Sequence, residues 1–261
     1  MSGPARPFQA LQPGGQDQPA QDAISILPGS AQSDRAVIAF AGVQAQLGGI
    51  ELWEFAKTLA PEGGGGGENQ RPVAFVRERP ARWYNTLEPD LLLPFVAAQA
   101  GRKTVALGNS MGGYAAILFS ALLPDIRRSI AFSPQFSVHP DHCPWEVRWR
   151  EPIAGIDRWR FETCLPGGAS LAAATLDHFV FCGTDIRHDV RHAEAIVREA
   201  PRPASAFLIH GCGHDLVRVL KDRGMLVPLL DLLIDNLAPA SQVADYLSEH
   251  GMAFDLLSSS K

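Results

Sequence analysis

The chain has little of what a nucleic-acid or membrane-surface protein needs. Its 23 Lys and Arg are outnumbered by 28 Asp and Glu, for a net charge of −5, and no dense basic block occurs. Both kinds of partner are bound largely through clustered positive charge, so a small or neutral substrate fits better. The four cysteines, Cys143, Cys164, Cys182 and Cys212, have no C-x-x-C spacing. That indicates neither a zinc knuckle nor a redox pair, and favours reduced thiols in a cytoplasmic protein over a disulfide framework. No His, Asp or Glu cluster has metal-ligand spacing, so neither a catalytic metal nor a cofactor is expected. No apolar run is long enough for a membrane span, and residues 1–22, rich in Pro, Gly and Gln, lack the apolar core of a signal peptide and are expected to form a disordered tail. No internal repeat is evident.

What is present is core-forming material. With 46% hydrophobic residues in 261, the chain can bury one large α/β domain over residues 23–261, although length alone also permits two small domains. Ala23–Leu27 and Ala36–Ala41 are apolar runs around turn formers and suggest a β-hairpin, the first run an edge strand. A helix over Ile50–Leu59 is followed by Pro61–Pro72, whose five consecutive glycines suit only a loop. Strand Val73–Val76, helix Pro89–Ala100, strand Thr104–Leu107, helix Met111–Leu123 and strand Ser129–Phe132 then alternate. Right-handed crossovers turn such a βαβαβ series into an open, mainly parallel sheet with helices on both faces and ligand sites at the carboxyl ends of its strands. Strand His178–Cys182, helix His188–Ala200, strand Ser205–Ile209 and helices across Asp215–Leu237 and Ser241–Leu257 complete the reading. Between strands Ser129–Phe132 and His178–Cys182, residues 133–174 carry many prolines and glycines with Trp145, Trp149 and Trp159, and are too long for an ordinary connection. This stretch is expected to be a cap that governs access to the site.

Within the alternation, Gly108-Asn-Ser-Met-Gly112 joins a β-rich run to an apolar helical run. A serine hydroxyl attacks only if it stands clear of the sheet edge, and a sharp strand-to-helix turn presents it so. Ser110 is therefore the candidate nucleophile. Gly108 and Gly112 leave room for the turn, and the Met111 N–H, free at the start of the helix, is placed to hold an oxyanion.

Two residues that such a serine needs follow later strands. Phe179-Val-Phe-Cys-Gly-Thr-Asp185 runs from a buried strand to a carboxylate able to accept an imidazole Nδ1–H. Asp189, inside the next helix, competes for this role, and a helix cap is the alternative for Asp185. Ala206-Phe-Leu-Ile-His-Gly-Cys-Gly-His214 places His214 on a glycine-flanked loop, where its Nε2 would deprotonate Ser110. His210 is the rival but continues the apolar strand, and His188 and His192 have the pattern of solvated helix residues.

The order Ser110, Asp185, His214, each after a successive strand, resembles the α/β-hydrolases over about residues 23–237, on Gly108-Asn-Ser-Met-Gly-Gly113, Gly183-Thr-Asp185 and Gly213-His214. The resemblance implies an open parallel sheet with a cap. It also implies a second oxyanion donor in the loop after an early strand, here Phe40-Ala-Gly-Val-Gln44, with Val43 or Gly42 N–H as candidates, although a His-Gly-Gly-Gly sequence is lacking. Arg79, Trp83 and Tyr84 after one strand end, and Gln135 in Phe132-Ser-Pro-Gln-Phe136 after another, are candidate substrate contacts, with surface packing as the alternative. The Trp-Tyr segment, the Met-Gly-Gly-Tyr-Ala-Ala helix start and the Ser-Pro-Gln are together similar to hydrolase-like proteins found with bacterial polysaccharide and glycoprotein synthesis. Three classes stay open at this point. They are a serine hydrolase of carboxylic esters, an acyltransferase to a carbohydrate hydroxyl, and a non-catalytic hydrolase-like binding protein.

Overall fold

The computed structural model describes residues 9–10, 23–43, 46–47, 50–51, 53–59, 70–167 and 176–259. Its strands are β1 (Gln9–Ala10), β2 (Ala23–Leu27), β3 (Arg35–Phe40), β4 (Gln46–Leu47), β5 (Ile50–Glu51), β6 (Val73–Arg77), β7 (Lys103–Asn109), β8 (Ile126–Phe132), β9 (Asp177–Gly183), β10 (Ala204–Ile209) and β11 (Phe254–Ser258). The helices are α1 (Ala56–Leu59), α2 (Leu93–Ala98), α3 (Met111–Leu122), α4 (Arg150–Ile153), α5 (Arg187–Glu199), α6 (Leu216–Asp222), α7 (Leu226–Ile234) and α8 (Ala240–Glu249).

Nine strands form one sheet in the order β1-β2-β6-β3-β7-β8-β9-β10-β11. The run from β6 to β10 is parallel throughout, and antiparallel pairs occur at both margins. The period of two along β3 shows why both faces are covered. Ala36, Ile38 and Phe40 enter one core with residues of α2, α3 and α5, while Val37 and Ala39 enter the other with residues of α1, α6, α7 and α8. A strand buried on both sides must be apolar throughout, which is what Val-Ile-Ala-Phe supplies. Helix α3 is buried from Met111 to Ser120, so its composition is apolar all round rather than striped.

Three sequence expectations change. The hairpin of β2 with β3 does not form, because β6 lies between them, antiparallel to β2 and parallel to β3. The expected helix over Ile50–Leu59 is confined to α1, since Ile50–Glu51 pairs with β4 and Phe55 takes a left-handed φ of 63° just before Ala56. The last helix stops at Glu249. Gly251 then turns the chain at φ 70°, as a helix-ending glycine does, and β11 adds to β10. The glycine-rich loop lies outside the described residues, as does most of the N-terminal segment, in which Gln9–Ala10 pairs with β2.

Two glycines set how closely α3 approaches the sheet. A Cβ at Gly108 would stand 2.0 Å from the Gly112 carbonyl oxygen, and one at Gly112 would stand 2.1 Å from that of Phe40. Both obstacles are backbone, so neither can swing away. Gly112→Ala is expected to lower stability by about 2–3 kcal/mol, the upper range for forcing a methyl into a packed core. Denaturant melts of the two proteins check this, and an unchanged midpoint would contradict it.

Candidate active site

Ser110 sits between β7 and α3 with φ 54° and ψ −121°. A residue held in so sparsely populated a region costs on the order of 1–3 kcal/mol, and the surrounding bonds hold it there. Its N–H donates to Phe132 O at 2.8 Å and its carbonyl accepts from Tyr114 N–H at 3.0 Å. Ser110 Oγ lies 3.0 Å from His214 Nε2, and His214 Nδ1 lies 2.7 Å from Asp189 Oδ2. An ionised carboxylate only accepts, so Nδ1 carries the proton and Nε2 is free to accept from the serine hydroxyl.

The carboxylate beside His214 is therefore Asp189 and not the expected Asp185. After β9 the chain continues outward, with Thr184 N–H on Ile209 O and Asp185 N–H on Cys212 O, and leaves the Asp185 side chain exposed. Only the first turn of α5 brings a side chain back. Asp189 is 1% exposed and shares the buried face of α5 with His192, Ala193 and Ile196. The signal in the sequence was an acid in register with that apolar face, at i, i+3, i+4 and i+7. Its place in the first helical turn also favours negative charge.

The other histidines separate clearly. His210 is exposed, and its Nε2 faces Asp255 on β11 at 3.0 Å. His192 is fully buried rather than solvated. Its Nδ1 accepts from Phe136 N–H at 3.1 Å, which leaves Nε2–H to donate to Glu146 at 2.9 Å. Burial lowers the His192 pKa, in keeping with this neutral form.

The segment after β8 supplies neighbours of both Asp189 and His214. Trp149 stands with its ring 5.9 Å from that of His214 and 5.5 Å from that of Trp83. Arg148 Nη1 donates to Asp189 Oδ1 at 2.8 Å, and its Nη2 and Nε donate to Glu146. Part of this stretch, residues 168–175, lies outside the described residues. From this stretch Arg148 reaches Asp189 and Trp149 lies against His214.

Of the candidate substrate contacts, Gln135 reaches Ser110. It is fully buried, Trp83 Nε1–H donates to its Oε1 at 3.2 Å, and its Nε2 therefore points at Ser110 Oγ, 3.4 Å away. Trp83 and Tyr84 are fully buried as well, in consecutive left-handed conformations of φ 51° and 57°. Glu78 stabilises that turn, its carboxylate accepting the N–H groups of Arg82, Tyr84 and Thr86. Burial raises the Glu78 pKa even so. Tyr84 Oη donates to Ala41 O at 2.9 Å, so this residue props the loop after β3 and does not line a cleft. Arg79, half-buried, opens the same turn.

In that loop the Gly42 N–H is already taken, donating to Glu54 Oε2 at 2.6 Å, while Asn109 Nδ2 donates to Glu54 Oε1 at 2.9 Å. Glu54, which the sequence reading missed, thus ties the loop to the residue before Ser110. Burial raises its pKa. Val43 is half-buried in the following turn, and Met111 opens α3, where its N–H has no acceptor within the helix. Among the described residues one group brings three metal-ligand atoms within 4.8 Å of one another, His139, His142 and Glu162. It lies at the surface, and its members already have partners, with His142 Nε2 on Glu162 at 2.7 Å and His139 Nδ1 accepting from Asp141 N–H at 3.2 Å.

A serine at a left-handed strand-to-helix turn, with a histidine on the loop after β10 and a carboxylate on the first turn of α5, invites comparison with solved structures. A carboxylesterase of Nitrososphaera gargenis superposes with a TM-score of 0.53 at 15% identity, covering 92% of this chain and 99% of its own. The fold is the α/β-hydrolase fold. The propionate-bound Est2 esterase of Thermogutta terrifontis gives 0.50 at 18% identity over 88% of this chain and 90% of its own. The capsule O-acetyltransferase of Neisseria meningitidis serogroup A gives 0.53 at 13% identity over 81% and 93%. No protein-family model matches the sequence, and no curated protein does. Among the described residues, no helix of this α/β-hydrolase fold is long and apolar enough to cross a membrane.

Proposed function

We propose that this protein is a serine hydrolase that cleaves a carboxylic ester through an acyl-enzyme on Ser110. The observation that carries this reading is the unbroken chain from Ser110 Oγ through the His214 ring to Asp189, at 3.0 and 2.7 Å. His214 Nε2 takes the hydroxyl proton as Oγ attacks the ester carbonyl, and Asp189 supports the imidazolium so formed. The carbonyl oxygen becomes an oxyanion, for which Met111 N–H is the first donor and Val43 N–H the second, Gly42 N–H being occupied by Glu54. The imidazolium returns its proton to the departing alkoxide. Water, deprotonated by the same histidine, then attacks the acyl-enzyme and frees the acid.

Transfer of the acyl group to a carbohydrate hydroxyl is the second reading. It is favoured by the likeness to a capsule O-acetyltransferase and by the half-buried Trp149, whose ring lies 5.9 Å from that of His214, since an amphipathic indole face suits a sugar ring. The two differ only in the acceptor that reaches the acyl-enzyme. Product partitioning separates them: a short acyl ester is supplied with and without mono- and oligosaccharides, and free acid is measured against acylated sugar by mass spectrometry. Free acid throughout is the expected result, and predominant sugar acylation at modest acceptor concentration would replace hydrolysis by transfer.

A further inference from the structure

We infer that Arg148, carried by the segment between β8 and β9, is a positioning residue for the catalytic carboxylate, so that this segment is part of the catalytic machinery. The inference rests on the serine-nucleophile reading above. Asp189 has two carboxylate oxygens and both are engaged, Oδ2 by His214 at 2.7 Å and Oδ1 by Arg148 Nη1 at 2.8 Å. A carboxylate gripped on both oxygens cannot rotate away from the imidazole. Arg148 is fixed in turn by Glu146, whose side chain is fully buried and accepts from Arg148 Nη2 at 2.6 Å, from Arg148 N–H at 2.9 Å and from His192. His192 closes the chain by accepting from Phe136 N–H, one residue after Gln135.

The charges explain why the guanidinium is needed. The cluster is formed by Glu146, Asp189, Arg148, His192 and His214; around it stand Cys143 near Glu146, Cys182 near Asp189, Glu54 and Asp215 on the His214 side, and Arg191 and His188 against the nearby Trp145 ring. With His192 and His214 neutral, two buried carboxylates share one guanidinium and leave one negative charge. When His214 takes the serine proton, the imidazolium cancels it. Hydrogen bonds from His192 and Arg148 hold Glu146 well below the usual carboxylate range although burial opposes them, so its charge is part of this balance. Without Arg148, two buried carboxylates face each other uncompensated. Buried charge left in that state takes up a proton or moves apart, and either outcome removes the support that the imidazolium requires.

The test uses the full chain with Arg148→Met, Arg148→Lys, Arg148→Ala and Glu146→Gln. It measures steady-state ester hydrolysis and the rate of Ser110 labelling by a fluorophosphonate, with circular dichroism and thermal melts as checks on folding. Arg148→Met is expected to lower kcat by about 100-fold with KM changed less than about threefold, and to slow labelling in parallel. This is below the ~10,000-fold cost of disabling the acid itself. Arg148→Lys, keeping the charge without the fork, is expected to fall between wild type and Arg148→Met, and added guanidinium to restore part of the Arg148→Ala activity. Wild-type labelling at Ser110 together with an unchanged labelling rate in a folded Arg148→Met protein would overturn the positioning role alone. Absence of wild-type labelling would overturn the serine reading and this inference with it. Should Arg148→Met fail to fold, Arg148→Lys and guanidinium rescue decide, and full wild-type kcat in the lysine protein with no rescue of Arg148→Ala would overturn the role.

Discussion

Ser110→Ala is expected to reduce ester turnover by about a millionfold, which is the cost of deleting a nucleophile that acts as one unit with its base. The fold should survive, because the hydroxyl contributes no packing and the bonds that hold the elbow, Ser110 N–H to Phe132 O and Tyr114 N–H to Ser110 O, are backbone. Alanine does inherit the unfavourable φ of 54°, and the serine pays the same cost, so the difference in stability should stay within about 0.5 kcal/mol. His214→Ala should be comparably inactive, since Nε2 is the acceptor facing Oγ at 3.0 Å. His210→Ala should turn over normally, because its ring is exposed and bonded to Asp255. Fluorophosphonate labelling followed by intact-mass measurement checks all three. Labelling of the alanine protein at the wild-type rate would remove Ser110 from the mechanism.

Asp189→Asn and Asp185→Asn are expected to differ by about four orders of magnitude. In Asp189→Asn the amide can donate to Nδ1 and hold the imidazole in the tautomer with Nε2 protonated, which cannot accept the serine proton. A loss of ~10,000-fold in kcat follows from that inversion. The protein should still fold, since Arg148 keeps Glu146 as a partner at 2.6 Å and one buried cation then balances one buried anion. Asp185→Asn should stay within about twofold of wild type, its side chain being exposed and its N–H bond to Cys212 O untouched by the change. Parallel measurement of kcat and KM for the two proteins is decisive. Equal activity of Asp189→Asn and wild type would make the 2.7 Å contact to His214 a structural one.

The sequence by itself determined the sheet, the strand-to-helix turn at Ser110 and the loop that carries His214. These are local: apolar runs of strand length, glycines where helix α3 presses on the backbone of β3 and β7, and a histidine on a glycine-flanked loop each leave a signature within a few residues. Gln135 was also legible as a polar residue past a strand end, although its contact with Ser110 depends on Trp83, 52 positions away. Only the tertiary structure decided which carboxylate meets His214. Asp185 and Asp189 are four residues apart around the start of α5, and the choice rests on which face of that helix packs inward. It also decided that the segment carrying Arg148 and Trp149 reaches Asp189 and His214, and that Glu54 occupies the Gly42 N–H. Contacts between residues far apart in the chain are set by how helices and loops settle on the sheet: the helical spacing of Asp189 with His192, Ala193 and Ile196 marks it as facing inward, but nothing in its own neighbourhood of the sequence says that it meets His214.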